Sequence, residues 1–405
     1  MFHNIAVLVL ASICLAAVMA ETDHHEDDLF ADLRNRHSVS LSANRFAIEL
    51  THHILEQQPH KNCIVGIVGA YLTLSLMAEG AYGYNKVQML SYLHYHLPEM
   101  QKHGIGSFIN RYISMEDHHF RMTFQMFHSH KFNLKKQFED LMITYWKSSP
   151  ISVDFTKTQD TLRIINDFVK RDIGVKDYFG SEHFVENFDS FFMNVIFFSG
   201  KWAAPFEIAP ESYKFELEDK SILHIPMMRR FSEYGIGYLH DDNSVLFIQI
   251  PFQHQQKRNS VYLYVLMFDK KHSSASEMKS RVKEIQFSDM KIQDYAQLDL
   301  YLPKFKINST WDFEHIMPSF GMTEMWKDRA DFTNMADQHF KINKFLQKAT
   351  IDVNEQGSTI AHDTEMKSET REKRGSVYRV DRPFCFIIAS KEMILGTGYV
   401  HNPTQ

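Results

Sequence analysis

The stretch Asn194-Val195-Ile196-Phe197-Phe198-Ser199-Gly200-Lys201-Trp202, followed by Pro205-Phe206-Glu207, marks where the chain changes character. It completes an apolar run over 191–199 that is short, rich in aromatic and β-branched residues, and stopped by Ser199-Gly200. Such a run reads as a buried strand. Upstream, the periodicity is helical. Phe46, Leu50 and Ile54 recur at helical spacing, so 38–57 is expected to be an amphipathic helix. Residues 70–81 are apolar almost all round, which predicts a buried helix, and 85–97, 104–114, 131–147 and 159–172 also read as helices. Downstream, 245–251, 261–268, 298–302, 385–389 and 393–400 are β-type runs. Helices first and strands after, without regular alternation, predict an α+β domain with large sheets.

No Pro-, Gly- or Ser-rich linker divides 38–403 and no internal repeat is present, so 38–405 is expected to be one domain. With 405 residues, 44% hydrophobic and 23% charged, the chain is neither disordered nor a small disulfide scaffold. Lys plus Arg is 44 against 50 for Asp plus Glu, a formal net charge of −6, which argues against a nucleic-acid partner. Residues 5–18 are almost wholly apolar, Val18-Met19-Ala20 is compact, and acidic Glu21 to Asp28 follows. This reads as a signal peptide over 1–20 cleaved after Ala20, then a polar tail over 21–37, giving a secreted, extracellular chain without a membrane span. Cys63 and Cys385 remain after cleavage, each in an apolar run. They read either as two buried thiols or as one disulfide.

A search for catalytic machinery returns little. There is no nucleophile elbow, zincin motif, P-loop or dinucleotide fingerprint. The adjacent pairs His24-His25, His52-His53 and His118-His119 cannot share one face of an element, and neither His94/His96 nor His128/His130 implies a third ligand. No catalytic residue, metal site or cofactor is therefore expected, and the chain does not read as an enzyme. Asn308-Ser309-Thr310 is an acceptor sequon, so Asn308 is expected to be glycosylated in a secreted chain.

The stretch quoted at the outset also resembles the signature of the serpins. Ile225-Pro226-Met227-Met228, Leu302-Pro303-Lys304-Phe305, Gly321-Met322-Thr323, Ala330-Asp331-Phe332-Thr333 and Lys348-Ala349 follow in serpin order. So do Glu355-Gln356-Gly357-Ser358, Asp381-Arg382-Pro383-Phe384 and Gly398-Tyr399-Val400-His401-Asn402-Pro403. The resemblance runs from about 40 to 403. It implies about nine helices and three β-sheets with an exposed reactive-centre loop at about 356–380, in a monomer. In inhibitory serpins a target protease cleaves that loop, is trapped as an acyl-enzyme, and the loop inserts into the central sheet. In this reading Glu355, Gly357, Ser358, Ile360 and His362 form the hinge. Residues near 101–114 offer only Lys102, His103 and Arg111 to heparin, which is not an expected partner.

Three features bear on whether the loop can insert. Its even positions, Ser358, Ile360, His362, Thr364, Met366, Ser368 and Thr370, are small, neutral or apolar, whereas its odd positions are mostly charged. That is a half-buried strand pattern, the bland reading being a solvated loop with chance alternation. The hinge lacks the alanine run usual in inhibitors, and an inserted His362 would resist protonation, so insertion is expected to weaken below about pH 6.5. In the sheet-opening region Gly66-Ile67-Val68-Gly69 stands for the usual Ser-Pro-x-Ser, Gln347 for a usual histidine, and Phe168 for a common tryptophan; Asn194 is retained. The usual spacing from the hinge puts the reactive bond at Arg371-Glu372, which suits a trypsin-like serine protease. Arg371-Glu372-Lys373-Arg374 also resembles a furin-like convertase site cut between Arg374 and Gly375, or reads simply as a solvated charged loop. Two expectations follow: an inhibitory serpin, or a non-inhibitory one acting as carrier, storage or signalling protein.

Overall fold

The structure, a computed structural model, describes residues 31–95, 98–113, 120–176, 178–183, 188–239, 244–253, 260–268, 277, 281–358 and 376–405. The first helix, α1 (31–57), starts before the boundary expected at 38, so 31–37 of the stretch read as a polar tail are helical. Arg36 anchors this extension: it is buried and pairs with Asp32 at 3.1 Å and Glu392 at 3.5 Å.

There follow β1 (Cys63–Val65), α2 (Ile67–Gly80), α3 (Gly83–Tyr92), α4 (Pro98–Phe108), β2 (Phe120–Ser129), α5 (Lys136–Leu141), β3 (Ile151–Val153), α6 (Thr158–Ile173) and β4 (Ser190–Phe198). Beyond the quoted stretch come β5 (Glu207–Glu216), β6 (Ile222–Leu239), β7 (Val245–Pro251), β8 (Val261–Phe268), β9 (Asp294–Pro303), β10 (Phe305–Asp312) and α7 (Phe313–Phe320). The chain closes with β11 (Lys344–Asn354), β12 (Gly357–Ser358), β13 (Ser376–Arg379), β14 (Phe384–Ser390) and β15 (Ile394–Val400).

Six strands form one sheet in the order β10-β11-β4-β2-β3, with β12 on β11; nine form the other in the order β1-β15-β14-β8-β7-β6-β9-β13, with β5 on β6. Two sheets therefore stand where three were expected. The cause is β6, whose 18 residues pair with β5 at one end and with β7 at the other, while β9 pairs with it from Met227 to Ile236 and so joins the two regions into one sheet. Seven α-helices are present among the described residues rather than nine. The helix read over 131–147 shortens to α5 and a wide turn, Met142–Trp146, closed by Lys147 at φ 52°. The one read over 85–97 stops at Tyr92, with His94 left-handed at φ 56°.

Helix α2 lies between the sheets, touching β15 on one side and β4 on the other, and 13 of its 14 residues are buried. Its all-round apolar sequence is the consequence. On the opposite face of the six-stranded sheet, α6 lays Ile165, Val169 and Ile173 on Phe191, Met193 and Val195 of β4. Phe192, Ile196 and Phe198 join the main core. Strand β4 is thus covered on both faces, which is why it reads as a continuous apolar run rather than an alternating one. Cys63 and Cys385 are both free and buried. Each registers with Tyr399 from opposite sides of β15, so they lie two strand spacings apart, roughly 9–10 Å and beyond disulfide reach. Burial pushes the Cys63 thiol up to about 12.

Candidate functional site

The site is the seam between β4 and β11 and the hairpin that closes it. These two strands pair parallel from Lys344↔Phe191 to Ile351↔Phe198. At the middle of the seam Gln347 registers with Asn194, and both side chains are fully buried. Gln347 Nε2 donates to Asn194 Oδ1 at 2.8 Å and to the Gly66 carbonyl at 2.7 Å, while its Oε1 accepts from Gly66 N at 2.9 Å. Asn194 Nδ2 donates to the Thr123 carbonyl of β2 at 3.0 Å. One carboxamide pair therefore ties the start of α2 to three adjacent strands with its polar atoms satisfied. Gly69 lies so close that a Cβ there would overlap the Asn194 carboxamide. The four positions singled out for sheet opening, Gly66, Gly69, Asn194 and Gln347, are brought into one cluster.

At the outer face of the seam, Lys348 reaches the Tyr178 carbonyl and stands 4.7 Å from the Tyr178 ring centroid and 4.9 Å from that of Phe179. Burial pulls its ammonium pKa below the usual lysine value, against the attraction of Glu182. Phe168, the departure from tryptophan, packs edge-on to Phe127 at 6.1 Å with the Arg171 guanidinium 4.5 Å from its ring centroid.

The hinge sits at the mouth of the seam. After β11 the chain turns through Asn354-Glu355-Gln356-Gly357, with Gln356 N held by Asn354 Oδ1 at 3.0 Å. Gly357 has φ 143°, a conformation L side chains rarely adopt, and a Cβ there would overlap the Gly200 carbonyl. β12 then runs antiparallel to β11, Gly357 opposite Asn354 and Ser358 opposite Val353, and Gly357 also bridges Lys201 just past β4. Trp202 N donates to the Gln356 carbonyl at 3.0 Å, Phe206 N to that of Glu355 at 2.8 Å, and Trp202 Nε1 to that of Asn354 at 2.8 Å. Lys304 Nζ meets Glu355 Oε1 at 2.9 Å, and the Trp202 ring stacks on Phe252 at 4.8 Å. Sequence reading found Glu355, Gly357 and Ser358 but missed Lys304, Phe252 and the clamp made by Trp202. Both Gly200-Lys201-Trp202 and Lys304 stood in the quoted motifs, yet nothing in their spacing says that they meet the hinge.

Ile360, His362, Arg371, Glu372, Arg374 and Gly375 lie outside the described residues. The chain resumes at Ser376 as β13, parallel to β9 in the nine-stranded sheet, so the two ends of the loop belong to different sheets. Asn308 is exposed on β10, an edge strand, its Oδ1 accepting from Thr350 Oγ1 at 2.9 Å. Arg111 is held by Glu392 at 3.5 Å, and Lys102 stands 5.9 Å from the centroid of the Tyr145 ring.

A family model described as Serpin (serine protease inhibitor) matches residues 41–403. The chain belongs to the serpin family. Mouse plasma serine protease inhibitor is 26% identical over 382 residues, covering 89% of this chain and 90% of the relative. Sheep corticosteroid-binding globulin is 28% identical over 391 residues, covering 93% and 88%. Alpha-1-antiproteinase of Callosciurus caniceps is 24% identical over 414 residues, covering 98% of each. Among solved structures, an Arabidopsis serpin in its native stressed conformation superposes with a TM-score of 0.79 at 17% identity, covering 92% of this chain and 99% of that one. Mouse protein-Z dependent protease inhibitor gives 0.77 at 19% identity, with the same coverage. This is the serpin fold, α+β with a six-stranded sheet central to it. The relatives include protease inhibitors and a corticosteroid-binding globulin, so membership alone does not decide between the two activities. No helix among the described residues is long and apolar enough to cross a membrane.

Proposed function

We propose that this serpin is a secreted suicide-substrate inhibitor of an arginine-specific, trypsin-like serine protease. The observation that carries this reading is the register of the hinge. β12 runs antiparallel to β11 and touches the chain just past β4, at the mouth of a seam whose two strands are parallel. A loop continuing in that register would set Ile360 opposite Ile351, His362 opposite Ala349 and Thr364 opposite Gln347. The odd positions of β11, Phe345 to Val353, are all buried, so the neutral even positions of the loop would meet the core. One parallel ladder would then be replaced by two antiparallel ones, which are slightly more stable per residue. About a dozen new backbone hydrogen bonds at ~1 kcal/mol net each give a driving force on the order of 10 kcal/mol.

The reactive bond in this reading is Arg371-Glu372, fourteen residues after Gly357, with Arg374-Gly375 as the alternative and a furin-like convertase as the alternative protease. Incubation with trypsin, and separately with a convertase, followed by a denaturing gel tests both. A covalent band of higher mass with trypsin, abolished by Arg371→Ala and kept by Arg374→Ala, is the expected outcome. Clean nicking at 371–374 without such a band contradicts inhibition.

The non-inhibitory reading draws on a groove of about 410 Å³ between α1 and residues 283–288, lined by Leu41, Ile48, Ile285 and Phe287 with Arg45 and Glu49 at its rim. Such a cleft suits a small, mostly apolar ligand. A carrier would be nicked in the loop without trapping its protease.

A further inference from the structure

Three segments far apart in sequence converge beside the nine-stranded sheet: the turn before β1, the turn joining β5 to β6, and the first residue after β15. Asn62 clamps the first to the last, its Oδ1 accepting from His401 N at 2.7 Å and Asn402 N at 2.9 Å, its Nδ2 donating to the Asn402 carbonyl at 2.6 Å. This brings the His60 and His401 rings to 5.7 Å between centroids. The β5–β6 turn is fixed by Leu217 N to the Ser221 carbonyl at 2.9 Å and by Ser221 N to Asp219 Oδ1 at 2.9 Å. It delivers Glu218 between the two imidazoles. Glu218 Oε2 stands 2.9 Å from His60 Nδ1 and 3.8 Å from His401 Nδ1, and its Oε1 accepts the Tyr399 hydroxyl at 2.6 Å.

Two further facts distinguish this cluster from a surface ion pair. The Glu218 side chain is only 9% exposed, and among the described residues no lysine or arginine pairs with it. His401 Nδ1 is buried and has no hydrogen-bond partner. A buried carboxylate wants a cation, and an orphaned imidazole nitrogen wants a partner. We propose that His60 Nδ1, Glu218 Oε2 and His401 Nδ1 bind a divalent transition metal of the zinc class.

Metal–ligand bonds of about 2.0–2.2 Å place tetrahedral ligand atoms roughly 3.3–3.5 Å apart. Each of the three residues offers a donor atom within 4.8 Å of those of the other two, and Glu218 Oε2 stands 2.9 and 3.8 Å from the two Nδ1 atoms, so small side-chain adjustments suffice. Two imidazoles and a carboxylate are a donor set that suits zinc and its first-row neighbours rather than calcium or magnesium. The exposed side of His60 leaves a fourth position to water. Tyr399 is a positioning residue, orienting the carboxylate through its far oxygen. Binding displaces any proton on the imidazole nitrogens that become ligands, and it staples the β5–β6 turn to both chain termini of the sheet. A second group, Asp312, Glu314 and His315, has similar composition, but Lys344 Nζ already stands 2.9 Å from Asp312 and 3.1 Å from Glu314 and supplies its positive charge.

The test is calorimetric titration of the full mature chain with zinc after dialysis against a chelator, alongside His60→Ala, Glu218→Gln, His401→Ala, Tyr399→Phe and the control His52→Ala. The wild type and the control should show one saturable site, with a melting temperature raised by zinc. Removing any ligand should weaken that site more than tenfold and abolish the thermal shift, and Tyr399→Phe should weaken it about tenfold. His60 is largely exposed, so its alanine variant should melt like the wild type in chelator and keeps the test free of folding defects. Binding by His60→Ala that equals the wild type, or no saturable site in the wild type, overturns the proposal.

Discussion

Gln347 uses both ends of its carboxamide on the backbone of Gly66 and still reaches Asn194, a geometry that the absence of side chains at 66 and 69 permits. Gly66, Gly69 and Gln347 are thus mutually fitted, the long amide of Gln347 filling the space that two glycines leave beside Asn194. Sequence reading could flag these positions as unusual but could not see that they answer one another, because the contact joins residues 281 apart. Glycine to alanine in a helix interior ordinarily gains about 1 kcal/mol. Gly69→Ala should instead lose ~1–3 kcal/mol, since the new methyl must displace the Asn194 amide. Urea unfolding measures the sign, and a gain in stability would refute the packing described. The His60, Glu218 and His401 cluster is equally invisible in sequence, because its three residues stand in separate segments that only the fold brings together.

Strand β4 was legible because both its faces are covered, so its residues are apolar apart from Ser190 at its start, which donates to the Lys341 carbonyl, and Asn194, which has its partner across the seam. Helix α2 was legible for the same reason. Strands β2 and β11 were not read, since Gln125, Gln347 and Lys348 interrupt their apolar pattern and only tertiary partners explain them. β6 escaped because its 18 residues change environment midway, so no single period describes them. The loop offers a test of the opposite kind, a period read from sequence and a register supplied by β12. A charge at an even position would have to be buried beside Gln347 and Asn194, whereas one at an odd position would face outward. Thr364→Glu should therefore abolish the trapped complex with trypsin and leave cleavage intact, while Glu365→Thr should leave both unchanged. Equal behaviour of the two variants would show that the register does not continue into the loop.

For the molecule as a whole, α2 lies between two sheets that hold the two ends of a single loop, the hinge in one and β13 in the other. In the proposed mechanism, the pairing of β13 with β9 would hold the far end of the intact loop away from the seam. In that mechanism, cutting the loop would free the hinge side to extend β12 between β4 and β11. The most direct measurement of this claim is a thermal melt of the chain before and after a single nick in 371–374, made with a trace of trypsin. Insertion on the order of 10 kcal/mol predicts a Tm raised by more than about 10 °C in the nicked protein. An unchanged or lowered Tm would contradict it.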